Sequence, residues 1–400
     1  MRVSLLAVGS RGDVQPLVAL GAELRKRGHP VRLATHDEFQ PLVDEAGLDY
    51  SFLPGGPSAI PAKANSPLKL FRALVRYLNQ IAPELATQTR IACQDADLVV
   101  DNALSHTSAV ESLSAPWCMV LYQPLMPTSA FPAPGLPTLP LGPAYNRLTH
   151  IAAYSLQQQP LNRLLGLAPK QIRFPWRTVG LNRPALFAFS PTVIAPPADW
   201  PPSCHVTGYW FWKRSCEPPS EILNLLQKGT PPIALTLGSM WPFAPVKATE
   251  LAAQGASRLG HPLIVIGGPD QPAADSVIHL TDVDHGWLFP QVAAVIHHGG
   301  AGTTAAALRA GVPQIIAPFF ADQRFWAARA HALGVAPESI PLRRLTKDHI
   351  EAALATALGN QTMSARAAQV GLTVQGENGV EQACRVLERW QEGASLNWRL

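Results

Sequence analysis

The sequence predicts an α/β protein built from two Rossmann-like, parallel-sheet domains that face each other across a cleft. Three observations carry this. The chain of 400 residues is longer than a single hydrophobic core usually serves. Strand-length apolar runs alternate with stretches of helical period, once on each side of a proline-rich middle. Glycine turns follow the strands in both halves, at the carboxyl ends where sheets of this kind bind ligands.

The first half opens on VSLLAV, a continuous apolar run suited to a strand covered on both faces. VQPLVALGAELRKRG places apolar residues at 14, 17, 18, 20, 21 and 24, a helical spacing that stops at Gly28. HPVRLAT and LDYSFLP give two more strands around a helix ending at Gly47, and DADLVVDNA with HTSAVESLSAPWCMVLYQP repeats strand, helix, strand. Many of the 39 prolines then fall within 124–143 and 191–202. Proline lacks an N–H and restricts its predecessor, so both segments are expected as extended loops. Leu125, Met126, Phe131, Leu136 and Leu139 in the first of them favour a loop packed on something apolar.

VTGYWFW and the polar SCEPPSEILNLLQKGTPP mark the boundary between a domain at 1–212 and a second at 213–384. In the second, PPIALTLGSM reads as a strand with a glycine turn, 247–259 as a helix, and HPLIVIGG and VAAVIHHGG as strands. TTAAALRAG follows as a helix and PQIIAPFF as a strand, and FWAARAHALG through ACRVLERWQEG reads as helices.

Composition removes several function classes. With 15% charged and 47% hydrophobic residues the chain is globular rather than disordered. A net charge of +4 with no Lys/Arg block gives no case for nucleic acid. Cys93, Cys118, Cys204, Cys216 and Cys384 are odd in number and scattered, against both a disulfide framework and a zinc site. MRVSLLAVGSRGDVQP reads as a first strand rather than a signal peptide, and nowhere do about 20 apolar residues run together. A cytoplasmic protein is expected, with peripheral membrane contact left open and no obligate protein partner inferred.

Three motifs carry chemistry. In HHGGAGTT, glycines between a strand and a helix let backbone N–H groups and the helix dipole meet an anion, with His298 and Thr303 adding donors. The bland reading is a tight turn with buried histidines. In GSRGDVQP, Asp13 sits at a helix start, either as an ordinary N-terminal acid or as a general base. In PFFADQ, Asp322 and Gln323 pair an acceptor with a donor-acceptor, which suits vicinal sugar hydroxyls; Asp322 as a helix cap is the alternative.

Together these residues resemble the GT-B, family 1 glycosyltransferases, which use nucleotide-activated sugars. Residues 280–323 are similar to the donor-binding box of the plant enzymes, and HGWLFPQVAAVIHHGGAGTT, PFFADQRFWAARA, GSRGDVQP, VTGYWFW and PTLPLGPAYNRLT are most like sterol 3β-glucosyltransferases. The resemblance implies that Ser10, Arg11, Gly12 and Asp13 lie beside the sugar and the acceptor oxygen, and Asp282, Val283 and His285 at the nucleoside. It implies His298, Gly300, Ala301, Gly302 and Thr303 at the diphosphate, joined by Ser239, and Asp322 with Gln323 at the sugar hydroxyls. It also implies a last helix, 385–400, that crosses back to the first domain. Leu280 and Ala306 stand where the plant box has its uracil-stacking tryptophan and its ribose-holding glutamate, so the choice between UDP and TDP stays open.

The function so implied is inverting, metal-independent transfer of a hexose, with UDP-glucose as co-substrate and no cofactor, to a sterol or similar lipophilic alcohol. No metal site is expected, although the Asp-x-Asp spacing itself occurs at 95–97 and 282–284; N–H groups and His298 are then left to stabilise the leaving diphosphate. Asp13 is the expected base, at a position where plant relatives have histidine, and His106 is the second candidate. The alternatives are a TDP-sugar transferase for a polyketide, flavonoid or peptide, and a non-catalytic nucleotide-sugar-binding protein.

Overall fold

A computed structural model of the protein describes residues 1–56, 67–102, 113–164, 183–214, 218–244, 247–268 and 276–393. It divides into two compact units, Met1–Trp212 with Glu377–Leu400, and Lys213–Gly376.

The first unit carries β1 (Val3–Leu6), β2 (Val31–Thr35), β3 (Asp49–Phe52), β4 (Leu98–Asp101), β5 (Trp117–Leu121), β6 (Ala185–Phe187) and β7 (Cys204–Val206). They form one sheet in the order β3-β2-β1-β4-β5-β6-β7, with every neighbouring pair parallel. β1, β4 and β5 are buried along their whole length, which is why they read as unbroken apolar runs. Helices α1 (Arg11–Lys26), α2 (Gln40–Glu45), α3 (Pro67–Cys93) and α4 (Gly142–Leu164) connect them. α3 was not read from the sequence although its apolar residues recur at helical spacing, and α4, which starts as the proline-rich stretch ends, has no such period. Within that stretch Met126 is buried, whereas Leu139 and, beyond it, Leu141 are 46% and 62% exposed, so only part of it meets the expected apolar packing.

The second unit carries β8 (Ile233–Thr236), β9 (Leu263–Ile266), β10 (Val277–Leu280), β11 (Ala294–His297) and β12 (Gln314–Ile316), all parallel, in the order β10-β9-β8-β11-β12. Around them lie α5 (Ser220–Leu226), α6 (Ala248–Arg258), α7 (His285–Leu288), α8 (Ala301–Ala310), α9 (Gln323–Ala332), α10 (Lys347–Gly359) and α11 (Gln361–Gln375). Two apolar clusters fill this unit: one contains Leu235, Val265 and Ile296, and the other Ala234, Ile264 and Val295.

The chain then rejoins the first unit. Residues from Glu377 onward group with it, earlier than the 385 implied by the resemblance, and the last described helix, α12, spans Gly379–Gln391. Glu377 accepts hydrogen bonds from the hydroxyls of Ser190 and Thr192. Ala383, Cys384, Val386 and Leu387 of α12 enter the core with Leu17, Leu20 and Leu24 of α1, and Glu388 pairs with Arg27 at 3.0 Å.

In each sheet the strand order reverses beside the unit's first strand: β1 lies between β2 and β4, and β8 between β9 and β11. Such switch points open a crevice at the carboxyl ends of the strands. The segments found there are Gly9–Asp13 in one unit, and Gly238 with His298–Thr303 in the other.

Candidate functional site

His297 and His298 divide the work at the end of β11. His297 is fully buried. Its Nε2 lies 2.9 Å from the Gln314 side-chain oxygen, and its Nδ1 accepts the Gly299 N–H at 3.1 Å, so it holds the turn. Burial and the neighbouring His298 depress its pKa to about 3. His298 is 8% exposed; its buried Nδ1 makes no hydrogen bond of ordinary geometry, and burial, only partly offset by the Thr236 backbone, lowers its pKa to about 4. At neutral pH it is therefore a neutral imidazole that can donate one ring N–H. Nδ1 is enclosed by the protein, and Nε2, on the Gly300 side, is the ring nitrogen nearest the helix start.

The turn after it is shaped by sterics. Gly299 has φ +87°, where side chains are disfavoured. A Cβ on Gly300 would fall 2.5 Å from His298 Nε2. Gly300 caps α8, and a Cβ on Gly302 would meet nothing within 4 Å, so the first turn of the helix is open. The N–H groups of Ala301, Gly302 and Thr303 fall in the first turn, where a helix has no internal acceptor for them. The sequence motif thus yields a neutral histidine beside a ten-residue helix start with open space above it.

Gln323 and Asp322 open α9. The Gln323 side-chain oxygen accepts from the Phe319 and Phe320 N–H groups at 2.7 and 3.0 Å, which closes the loop after β12. Ala321 within that loop has φ +53°, an uncommon conformation for a residue with a side chain. Asp322 accepts from the Trp326 indole N–H at 2.7 Å. Burial nonetheless holds its carboxyl above the ordinary range. Trp326, fully buried, was not singled out from the sequence, although its i+4 spacing from Asp322 on a helix was the available signal.

The proposed nucleoside residues lie on the loop after β10. Asp282 is exposed and ion-paired with Arg214 at 2.9 Å. Val283 is buried, and the His285 ring stacks on Phe289 with centroids 4.4 Å apart. Asp284 caps α7 through the Gly286 N–H. Ser239 lies in the 3₁₀ turn Gly238–Phe243; its side chain is outside the described residues. In the same turn Trp241 donates to the Ile266 carbonyl at 2.9 Å.

In the first unit, the Asp13 carboxylate accepts from the Ser10 N–H and hydroxyl at 2.8 and 2.9 Å, and is half-buried. Arg11 donates to Gln15, and Gly12 is exposed at the helix start. Three residues from neighbouring strand ends hold this turn, none of them singled out from sequence. His36 accepts the Gly9 N–H at 3.0 Å, Asn102 donates to the Val8 carbonyl at 2.7 Å, and the Tyr122 hydroxyl donates to the Asp13 carbonyl at 2.7 Å. His106 lies outside the described residues. Among the described residues no group of three His, Cys, Asp or Glu could hold a metal, and no helix is long and apolar enough to cross a membrane.

Two parallel sheets, each with a glycine turn at its switch point, define a two-unit Rossmann-like class of fold, and comparison with known proteins narrows it. Residues 3–131 match the glycosyltransferase family 28 N-terminal domain, and residues 273–377 match the erythromycin biosynthesis protein CIII-like, C-terminal domain. The chain is 41% identical over 416 residues to the O-mycaminosyltylonolide 6-deoxyallosyltransferase of Streptomyces fradiae, covering 98% of each. It is 32% identical to a sterol 3-beta-glucosyltransferase of Arabidopsis thaliana, covering 99% of this chain and 67% of that one. The solved structure of the kitacinnamycin glycotransferase superposes with a TM-score of 0.71 at 19% identity, covering 97% of this chain and 98% of that one. The protein belongs to the GT-B, family 1 glycosyltransferases.

Proposed function

We propose that this glycosyltransferase moves a hexose from a nucleoside diphosphate to a hydroxyl of an apolar natural product, with inversion and without a metal. The observation that supports the donor class most directly is His298, kept neutral by burial, with its Nε2 on the Gly300 side beside the open start of α8. Neutral N–H donors at a helix start stabilise the charge that develops on a leaving diphosphate. In this reading Ala301, Gly302 and Thr303 join His298 on the diphosphate, with Ser239 beside them. Asp322 and Gln323 take the sugar hydroxyls, and Asp282, Val283 and His285 the nucleoside. The acceptor hydroxyl attacks C1 on the face opposite the diphosphate. Asp13 takes its proton as the C1–O bond to the diphosphate breaks, while Ser10, Arg11 and Gly12 line the same turn.

The reactants have two readings. The first is a TDP-linked 6-deoxyhexose and a polyketide-type alcohol, supported by the full-length similarity to the tylonolide 6-deoxyallosyltransferase. The second is UDP-glucose and a sterol, supported by the motifs of both halves and by the plant relative. The test is a mass-spectrometric panel of UDP-glucose, TDP-glucose and TDP-6-deoxyhexoses against sterols, flavonoids and macrolides, with the purified protein alone. A 6-deoxyhexosyl macrolide is the expected product. A glucosylated sterol as the dominant product decides for the second reading, and binding without turnover across the panel removes the catalytic proposal.

A further inference from the structure

We infer that His36 is a positioning residue for the transfer reaction: it sets the backbone of the turn that carries Asp13. The inference rests on the proposed role of that turn. The chain leaves β1 through Ala7, Val8, Gly9 and Ser10, and the polar groups of this stretch are met one by one. The Ala7 N–H reaches the Ala34 carbonyl at 2.9 Å, and the Thr35 hydroxyl donates to the Ala7 carbonyl at 2.8 Å. Asn102 holds Val8, and His36 Nε2 accepts the Gly9 N–H at 3.0 Å. The next N–H, that of Ser10, holds the Asp13 carboxylate at 2.8 Å. His36 thus stands one peptide from the group that orients Asp13.

The geometry fixes the imidazole tautomer. His36 is 1% exposed, and its Nδ1 lies 3.0 Å from the Leu53 carbonyl, which can only accept. Nδ1 therefore carries the proton and Nε2 is left as the acceptor for Gly9. A hydrocarbon at 36 could make neither bond. The two bonds differ in what they do: the one to Leu53 ties β2 to the end of β3, while the one to Gly9 places the turn. Small displacements of a catalytic group cost far more in rate than in stability.

Two amides separate these roles. Gln at 36 extends an oxygen to the ε position and can accept from Gly9. Asn reaches only the δ position, so it can keep the Leu53 bond but not the one to Gly9. The experiment measures His36→Gln, His36→Asn and Asp13→Asn in parallel for thermal unfolding, for UDP and TDP binding by calorimetry, and for nucleoside diphosphate release. Release is followed from UDP-glucose and TDP-glucose with cholesterol and with a macrolide aglycone as acceptors. His36→Asn is expected to lose about ten- to a hundred-fold in kcat with donor KM within two-fold, and His36→Gln to recover to within about three-fold of the native rate. If Asp13→Asn is inactive while His36→Asn turns over normally, or if Gln and Asn are equally slow, the positioning role is wrong and the reading of the turn stands. If Asp13→Asn itself turns over at the native rate, the reading of the turn falls and this inference falls with it.

Discussion

Gly299 lies directly against the carbonyl of Gln323: a Cβ at 299 would come within 2.9 Å of that oxygen and 2.8 Å of Ile316 Cγ2. The glycine turn after β11 and the Asp-Gln pair opening α9 are therefore one packed unit, although 24 positions apart in the sequence (323 − 299).

That contact separates two neighbouring glycines. Gly299→Ala forces a side chain into the left-handed region, at a cost of about 1–2 kcal/mol, and into the Gln323 carbonyl as well. It should lower the urea midpoint and the turnover together. Gly300 has φ −64°, ordinary for alanine, but its methyl would strike His298 Nε2. Gly300→Ala should lose activity with a nearly native midpoint. Equal effects of both on stability would count against this account of the turn.

His298→Ala should lose on the order of 3 kcal/mol of transition-state stabilisation, a fall of about a hundred-fold or more in kcat. Because the residue is buried and its Nδ1 makes no hydrogen bond of ordinary geometry, its removal should leave the protein folded. Near-native turnover in single-turnover assays would remove it from the donor set.

Asp13→Asn keeps the size of the side chain and an oxygen that can accept from Ser10. It cannot take up a proton, a role worth about 10²–10⁴-fold. Transfer should collapse while UDP or TDP affinity stays within a few-fold. If His106→Ala is inactive instead and Asp13→Asn only mildly impaired, the base is His106.

Trp326→Phe keeps a ring in the core but removes the N–H that binds Asp322. The carboxyl, already held high by burial, should be pushed higher still, and the donor KM should rise several-fold with a smaller change in kcat. The loss of one buried hydrogen bond should cost about 1–3 kcal/mol in unfolding. An unchanged donor KM would show that Asp322 does not hold the sugar.

Acid should weaken the fold through its buried histidines. His297, His205 and His298 have pKa values lowered to about 3, 4 and 4 by burial, against an ordinary 6.5. Between pH 6.5 and about 4 the unfolded chain binds protons that the folded one refuses, so stability rises with pH across that window and levels above it. Each such histidine removes about 2 kcal/mol on going from pH 6.5 to 5. Asp322 and Glu377, held above their ordinary values by burial, act in the opposite sense at the lower end. Urea titrations from pH 7.5 to 5 check this, and a flat midpoint across that range would refute it.

β1, β4 and β5 were readable because burial on both faces leaves an apolar signature, as in VSLLAV; β6, β7 and β10 were not, the first two being three residues long and the third only partly buried. α4 was not, because its apolar residues follow no helical period, whereas α3 carries such a period and was overlooked, its Pro83 being no more a bar than Pro16 is in α1. The proposed donor residues from His298 to Gln323 lie close enough in sequence to be seen as motifs. His36, Asn102 and Tyr122 are not, since each comes from a different strand and converges on Gly9–Asp13 only through the order β2-β1-β4-β5. The ion pair of Arg214 with Asp282 likewise joins residues 68 apart, with no local signal.

The return of the chain at Glu377 has a consequence for how this protein is made. α1 leaves the ribosome well before the residues of α12 that cover it. The unit of Lys213–Gly376 has all its strands before α12 is made, whereas the sheet of the first unit must wait with one flank of α1 uncovered. During synthesis that flank, with Leu17, Leu20 and Leu24 behind it, is an apolar surface on which a chaperone can act, and a message truncated just after residue 376 would leave it bare for good.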